Sequence, residues 1–286
     1  MNNTYSLSDA GRGQKPAQKT LNASVTDRLR DAFAAPGERS NRSLNAALRL
    51  LAKWRGQLIA NNAFRHAAGA VASGPFAGMH LVRARVSEGA ATPRVLGTYE
   101  SELHSIIEQV IANRYEHIAV VGCAEGYYAV GLARRCPWAR IYAFDTDQEA
   151  RKQCEEAVTL NEVSARVTVA ATFHPDLLSV PSRTFILCDV EGAESTLMDP
   201  AAYPSLLSVP LLVIECHEDK SPGIIKILTD RFSPTHEVKI IAHSLSAPVL
   251  PKWLQELGHL DQLLAMWEWR ESPTPWLVMT RTKIII

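Results

Sequence analysis

The middle of the chain alternates short apolar runs with amphipathic stretches. Residues 117–121, 140–144, 166–170, 184–189 and 210–215 are dense in apolar side chains and too short for helices. Continuous apolar runs of that length read as strands buried on both faces, the form parallel sheets take. Between them, residues 126–135, 147–160 and 222–231 carry apolar side chains at helical spacing. Residues 237–242 and 276–282 add two strands, the last expected as an antiparallel partner closing the sheet. Strands and helices alternating at this interval predict an α/β fold, a Rossmann-like, doubly wound, mostly parallel seven-stranded sheet. Thr146 with Glu149 three residues on fits a capping box for the second of these helices, and Asn161 fits its stop.

Upstream the pattern changes. Residues 1–20 are polar and rich in Gly, Ser, Asn and Gln, which predicts a mobile tail. Over residues 43–60, Leu44, Leu48, Leu51 and Leu58 fall on one helical stripe. Residues 61–72 suggest a second helix, ended by the Gly-Pro and Ala-Gly pairs of residues 73–79. Leu103, Ile106, Ile107, Val110 and Ile111 mark an amphipathic helix just ahead of the first strand, and residues 251–270 read as helix. Three parts are therefore expected. They are a tail over 1–20, an N-terminal helical segment over 21–95 that caps the site or builds a homodimer, and the main domain over 96–286.

Composition narrows the function classes. With 286 residues, 47% hydrophobic and 21% charged, the chain has ample core for a globular protein. Thirty basic residues balance thirty acidic ones, which speaks against nucleic acid as the main partner, because phosphate binding favours a basic excess. Five cysteines without CxxC spacing read as reduced core residues in a cytoplasmic setting. No apolar leader and no apolar run of about 18 residues is present, so neither secretion by that route nor membrane insertion is expected.

The candidate chemistry begins at the first strand. Its apolar run ends on Gly122, and a glycine-bounded turn reaches Gly126 before a helix starts. Glycines there let the backbone turn sharply and let a ligand approach it. The second strand ends on Asp145, an acid about 20 residues past the glycine turn and so placed for a ribose hydroxyl pair. The dinucleotide fingerprint wants G-x-G-x-x-G, and Ala124 stands where its middle glycine would be. A pyrophosphate needs close backbone approach at that point, so a nucleoside without phosphates fits better than NAD. An NAD-dependent oxidoreductase is the rival enzyme class, and a catalytically idle cofactor-binding module is the rival outside enzymes.

In order along the chain, VVGCAEGYYAVGLAR, IYAFDTD, LCDVEGAE and LLVIECHE resemble the class I S-adenosylmethionine-dependent methyltransferases. DVEGAE, residues 189–194, is similar to the FkbM-type branch, whose members are mostly small-molecule O-methyltransferases. The resemblance covers about residues 96–286. It implies S-adenosyl-L-methionine as cofactor and a small-molecule acceptor, methylated on oxygen first and nitrogen next. It places Gly122, Cys123, Ala124, Glu125, Gly126, Asp145, Thr146, Thr172 and Asp189 at the cofactor, with Tyr99 and Glu100 reaching it from the preceding helix. The family's usual acid two residues before the first glycine is Val120 here, so the methionine amino group needs another partner, Glu125 or Glu100. Asp145-Thr146 stands where the FkbM-type pattern has a Glu-Pro pair.

Asp189 and Glu215 follow apolar strands and emerge at the carboxyl edge, where open α/β sheets bind ligands; Glu191 and His217 come with them. Two mechanisms fit. In one, His217 is a general base, with Asp189 or Glu215 orienting it. In the other, the alternative to the first expectation of no metal, Asp189, Glu191, Glu215 and His217 hold a divalent ion that lowers the pKa of a substrate hydroxyl. The plain structural alternative is that Glu191 and Glu194 cap a helix and His217 makes only a structural hydrogen bond. His236 and His243 read as ordinary strand-end or loop residues. Trp267, Glu268, Trp269, Arg270 and Trp276 suggest either core anchoring or a substrate wall.

Overall fold

Seven strands in the order β3-β2-β1-β4-β5-β7-β6 form one sheet in the computed structural model. The structure describes residues 20–34, 36–83, 91–175, 181–243, 249–270 and 272–282. The tail expected over residues 1–20 lies outside these, apart from Thr20. By packing, the chain divides into residues 1–54 and 55–286.

The first unit contains α1 (Leu21–Ala32) and the start of α2 (Asn41–His66). Thr20 caps α1 by accepting from the Ala23 N–H (3.2 Å), and the Trp54 indole donates to Asn22 Oδ1 (2.8 Å). α2 runs through 61–66, where a separate helix was expected. Neither Asn61 nor Asn62 stops it; the left-handed residues Ala68 (φ +50°) and Gly69 (φ +76°) follow its end. Leu44, Leu48 and Leu51 are 47%, 65% and 42% exposed, so the leucine stripe is not a core stripe.

In the second unit β1 (His117–Val121), β2 (Arg140–Phe144), β3 (Val167–Ala170), β4 (Thr184–Cys188) and β5 (Leu211–Glu215) are mutually parallel. β7 (Trp276–Arg281) is antiparallel, as expected, and lies between β5 and β6 (His236–Ile241), so that β6 is the edge strand. The reason is in its residues: Trp276, Leu277, Val278 and Met279 are all buried, whereas β6 exposes Glu237, Lys239 and Ile240, as an edge strand does.

Alternation along the strands builds a core on each face. Ile118, Val120, Ile141, Phe185, Leu187 and Val213 meet α4 (His104–Asn113), α5 (Tyr127–Arg135) and α6 (Gln148–Leu160). Ala119, Val121, Ile186, Leu212, Ile214 and Leu277 meet α8 (Ile224–Phe232) and the segment around Leu206. α3 (Ala91–Leu96) and α7 (Glu194–Leu197) are short. The helix expected over 251–270 is two pieces, α9 (Lys252–Gln255) and α10 (His259–Met266), and residues 267–270 leave the helix altogether. Strand order reverses between β1 and β4, and in such sheets the crevice at the carboxyl ends of that pair takes the ligand.

Candidate functional site

The turn after β1 is fixed by the backbone of its neighbours. Gly122 N–H and Cys123 N–H both donate to Phe144 O (2.8 and 2.9 Å), and Asp189 N–H donates to Val121 O (2.8 Å). Gly122 has φ +81°, and a Cβ there would lie 1.5 Å from Asp189 O. Asp145 splints the turn from β2, its Oδ2 accepting from Ala124 N–H (2.9 Å) and its Oδ1 from Asp147 N–H (2.9 Å). Asp147, not Thr146, caps α6 by accepting from Glu149 N–H (3.0 Å); the two adjacent polar residues differ only in which reaches the first turn.

Ala124 itself sits at φ +44°. That left-handed backbone costs a non-glycine residue about 1–2 kcal/mol, while glycine loses about 0.4–1 kcal/mol more chain entropy on folding. Ala124→Gly is therefore expected to stabilise by about 0.5–1 kcal/mol, read as a melting temperature about 1–3 °C higher. A lower melting temperature would contradict the strain at this residue.

Above the turn opens a cleft of about 550 Å³, within the size range of small-molecule sites. Tyr99, Glu100, Gly122, Cys123, Ala124, Asp145, Thr146, Thr172, Asp189, Glu191, Glu215 and His217 all line it. Glu125 and Gly126 lie outside it. Glu125 is turned away to an ion pair with Arg94, and Gly126 begins α5 at φ +91° with Cys154 against it. Phe173, after β3, packs edge-on against Phe144 (5.2 Å) at the cleft wall. Tyr128 is committed to Glu100 by a hydroxyl hydrogen bond.

At the β4–β5 edge the ionisable groups converge. His217 Nδ1 is 2.6 Å from Glu194 Oε1, a carboxylate with no exposed side-chain surface, so Nδ1 carries the proton and donates. That leaves Nε2 facing Glu191 Oε2 (3.5 Å), Asp189 Oδ1 (3.7 Å) and Glu215 Oε2 (3.8 Å). Burial opposes charge on His217, but the Glu194 hydrogen bond and the Glu215 field outweigh it and raise its pKa. Burial first, then Glu215 and Glu100, push Asp189 well above the usual carboxylate range.

A second cluster adjoins it. Arg270 is ion-paired with Glu215, reaches Glu100 (3.2 Å) and Glu268 (3.4 Å), and donates to Thr274, whose hydroxyl donates to Glu215 Oε1 (2.6 Å). Glu100 is held at φ +47° by its N–H donating to Glu268 Oε1 (2.9 Å). Burial and the nearby Glu215 raise its carboxyl to about 8.

The sequence reading missed Arg94 and the role of Glu194, and left Glu268 and Arg270 unresolved. Arg94 is a lone cation in an apolar stretch, buried with its guanidinium 4.4 Å from the Tyr99 ring centre; isolation of that kind is the only sequence signal it gives. Glu194 read as a helix cap, yet it orients His217. The tryptophan cluster splits between both expectations, Trp276 being fully buried core while Trp269 lines the cleft. His236 is structural, bridging Thr235 Oγ1 (2.8 Å) and Val209 O (2.9 Å), and His243 sits on Glu102 (3.1 Å).

No protein-family model and no curated protein matches this chain. Among solved structures, the chain is similar to the O-methyltransferase TomG from Streptomyces achromogenes, involved in tomaymycin synthesis and solved with SAM. Identity is 11%, with 91% of this chain and 96% of that one covered at a TM-score of 0.46. It is also similar to an rRNA methylase from Streptococcus thermophilus (11% identity, 64% and 97% covered, TM-score 0.44). A SAM-dependent O-methyltransferase from Thermotoga maritima gives 12% identity, 65% and 66% covered, and a TM-score of 0.46. Likenesses this distant assign no activity to this chain. Among the described residues no helix is long and apolar enough to cross a membrane.

Proposed function

We propose that this chain is an S-adenosylmethionine-dependent methyltransferase acting on a small-molecule acceptor. The observation that carries the reading is the charge of the cleft. Among the described residues lining it, eight acids (Glu100, Asp145, Asp147, Asp189, Glu191, Glu215, Asp219 and Glu268) face three Lys or Arg (Arg94, Lys220 and Arg270) and His217. With Glu100, Asp189 and Glu268, whose carboxyls are raised, counted as protonated, five acids remain against these cations. A dinucleotide would bring two phosphate charges into that field and be repelled; a sulfonium with an ammonium group is attracted. Ala124 places a methyl group where a pyrophosphate needs bare backbone, which counts against NAD a second time. The same acid surplus repels nucleic acid and supports a small acceptor.

The adenosine end lies along Asp145, Thr172 and Phe173, and the methionine end toward Glu100 and the β4–β5 edge. Glu100 and not Glu125 takes the methionine ammonium, because Glu100 lines the cleft and Glu125 does not. In the transfer, an electron pair of the acceptor forms the new bond to the methyl carbon as the S–CH₃ bond breaks onto sulfur. The sulfonium becomes a thioether, and the acceptor proton leaves at the edge formed by Asp189, Glu215 and His217. The sulfonium is already a good leaving group, so alignment and exclusion of water supply most of the acceleration. The similarity of residues 189–194 to the FkbM-type branch favours oxygen over nitrogen as the acceptor atom.

Calorimetry with S-adenosylmethionine, S-adenosylhomocysteine and NAD⁺ tests the reading. The first two are expected to bind and NAD⁺ not; NAD⁺ binding alone would overturn it. Asp145→Ala is expected to weaken S-adenosylmethionine binding by about 1–3 kcal/mol, the loss of a charged hydrogen-bond partner. Unchanged affinity would remove Asp145 from the ribose.

A further inference from the structure

We propose that Asp189, Glu215 and His217 form a binding site for a divalent first-row transition-metal ion. One ligand atom from each lies within 4.8 Å of the others. Glu191 stands nearby, half-exposed and paired with Lys220, and is not required.

Four features of these residues fit an ion. His217 has a side chain 5% exposed, and its Nε2 faces the carboxylate oxygens of Glu191, Asp189 and Glu215 at 3.5, 3.7 and 3.8 Å, longer than ordinary hydrogen bonds. Two ligands on one ion with bonds of about 2.0–2.2 Å sit about 3–3.6 Å apart, so the His217 separations of 3.7 and 3.8 Å need a closure of only a few tenths of an ångström, and the whole set, within 4.8 Å, a closure of about 1 Å at most. Asp189 Oδ1 is buried and accepts no hydrogen bond, a costly state for a carboxylate oxygen that a cation relieves. Glu194 then has a defined task. It takes the Nδ1 proton of His217, fixing the ring and leaving Nε2 as a lone-pair donor, the carboxylate–histidine–metal arrangement.

Arg270 does not fill this role. It engages Glu215 through Oε1, on the side away from His217, and leaves Oε2 to the ion. Mg²⁺ and Ca²⁺ prefer sets made wholly of oxygen, whereas one imidazole with two carboxylates suits Mn²⁺, Fe²⁺, Co²⁺ or Zn²⁺. On the cleft side an acceptor hydroxyl bound to the ion would lose its proton to water, the oxygen pair remaining on the ion until methyl transfer. That role rests on the methyltransferase reading; binding of the ion does not.

The test titrates the chelator-stripped full chain with Mn²⁺ by calorimetry and with Co²⁺ by visible absorption. One ion per chain is expected, with Asp189→Asn and His217→Gln each weakening uptake at least tenfold. Glu194→Gln is expected to weaken it about 10–100-fold. No saturable uptake by the unaltered protein overturns the site without recourse to a variant, as does equal uptake by the Asp189 and His217 variants. S-adenosylmethionine titrations run in parallel separate the two readings. Ion uptake without cofactor binding overturns the methyltransferase, and cofactor binding without ion uptake overturns the metal site alone.

Discussion

Gly122→Ala is expected to destabilise the protein by more than about 4 kcal/mol, enough to abolish folding or cofactor binding. Two effects add. At φ +81° an alanine loses about 1–2 kcal/mol relative to an ordinary backbone. The larger effect is contact, since the new Cβ would lie 1.5 Å from Asp189 O and 2.7 Å from Asp189 C. Both atoms are backbone, so no rotamer change relieves the overlap and the ends of β1 and β4 must part. Parting them breaks the Asp189 N–H to Val121 O bond and strains the two bonds to Phe144 O, each worth about 1 kcal/mol. Gly223 is the matched control. Its φ is +82°, and a Cβ there meets nothing within 4 Å. Gly223→Ala should cost only the conformational part, about 1–2 kcal/mol. Thermal melting of the two variants separates space from φ: a drop of about 8 °C or more, or no folded protein, is expected at Gly122, against about 2–6 °C at Gly223. Equal drops would mean that the close approach of β4 to the turn is not what requires glycine.

The main sheet was legible because its strands are short, β-branched and bounded by turn residues, signals that need no tertiary information. The glycine turn, Asp145, Asp189, Glu215 and His217 were legible for the same reason, since each follows a strand end. Where the reading missed, a longer-range fact decided. β7 was legible as an antiparallel strand, but its place between β5 and β6 was not; its four consecutive buried residues suit that interior position. Glu215 and Arg270 are 55 residues apart and meet only because β7 returns beside β5, pairing Trp276 with Glu215. Glu100 and Arg270 are 170 apart. Ion pairs of that separation leave no local pattern, so the second cluster became visible only with the fold.

Arg270→Met is expected to destabilise by about 3–5 kcal/mol at pH 10, because it keeps the apolar stem but leaves buried carboxylates without their cation. Glu215, Glu100 and Glu268 have side chains 5%, 2% and 7% exposed, so solvent screens little of this. The pH dependence identifies the cause. Glu100 already has its carboxyl raised to about 8, with Arg270 among the groups holding it down; Asp189 and Glu268 are raised as well, against the same restraint. A carboxyl whose pKa is higher folded than unfolded keeps more protons in the fold. Stability from Glu100 is therefore fully present below its ordinary value near 4.5 and is lost as pH rises through about 8. Between about pH 4.5 and 8 Glu100 is protonated in the fold with or without Arg270. Without Arg270 its carboxyl climbs further, so above about pH 8 the variant goes on shedding stability where the unaltered protein levels off, by up to about 1.4 kcal/mol per pH unit for each proton involved. Denaturant unfolding of both proteins in chelator, at intervals from about pH 6 to pH 10, reads the gap between them. It is expected to be smallest near pH 6, where Glu100 is protonated in both proteins, and to widen from about pH 8 toward pH 10. A gap that stays constant with pH would mean that Arg270 contributes through packing of its stem, and that the raised carboxyls beside it are not held by its charge.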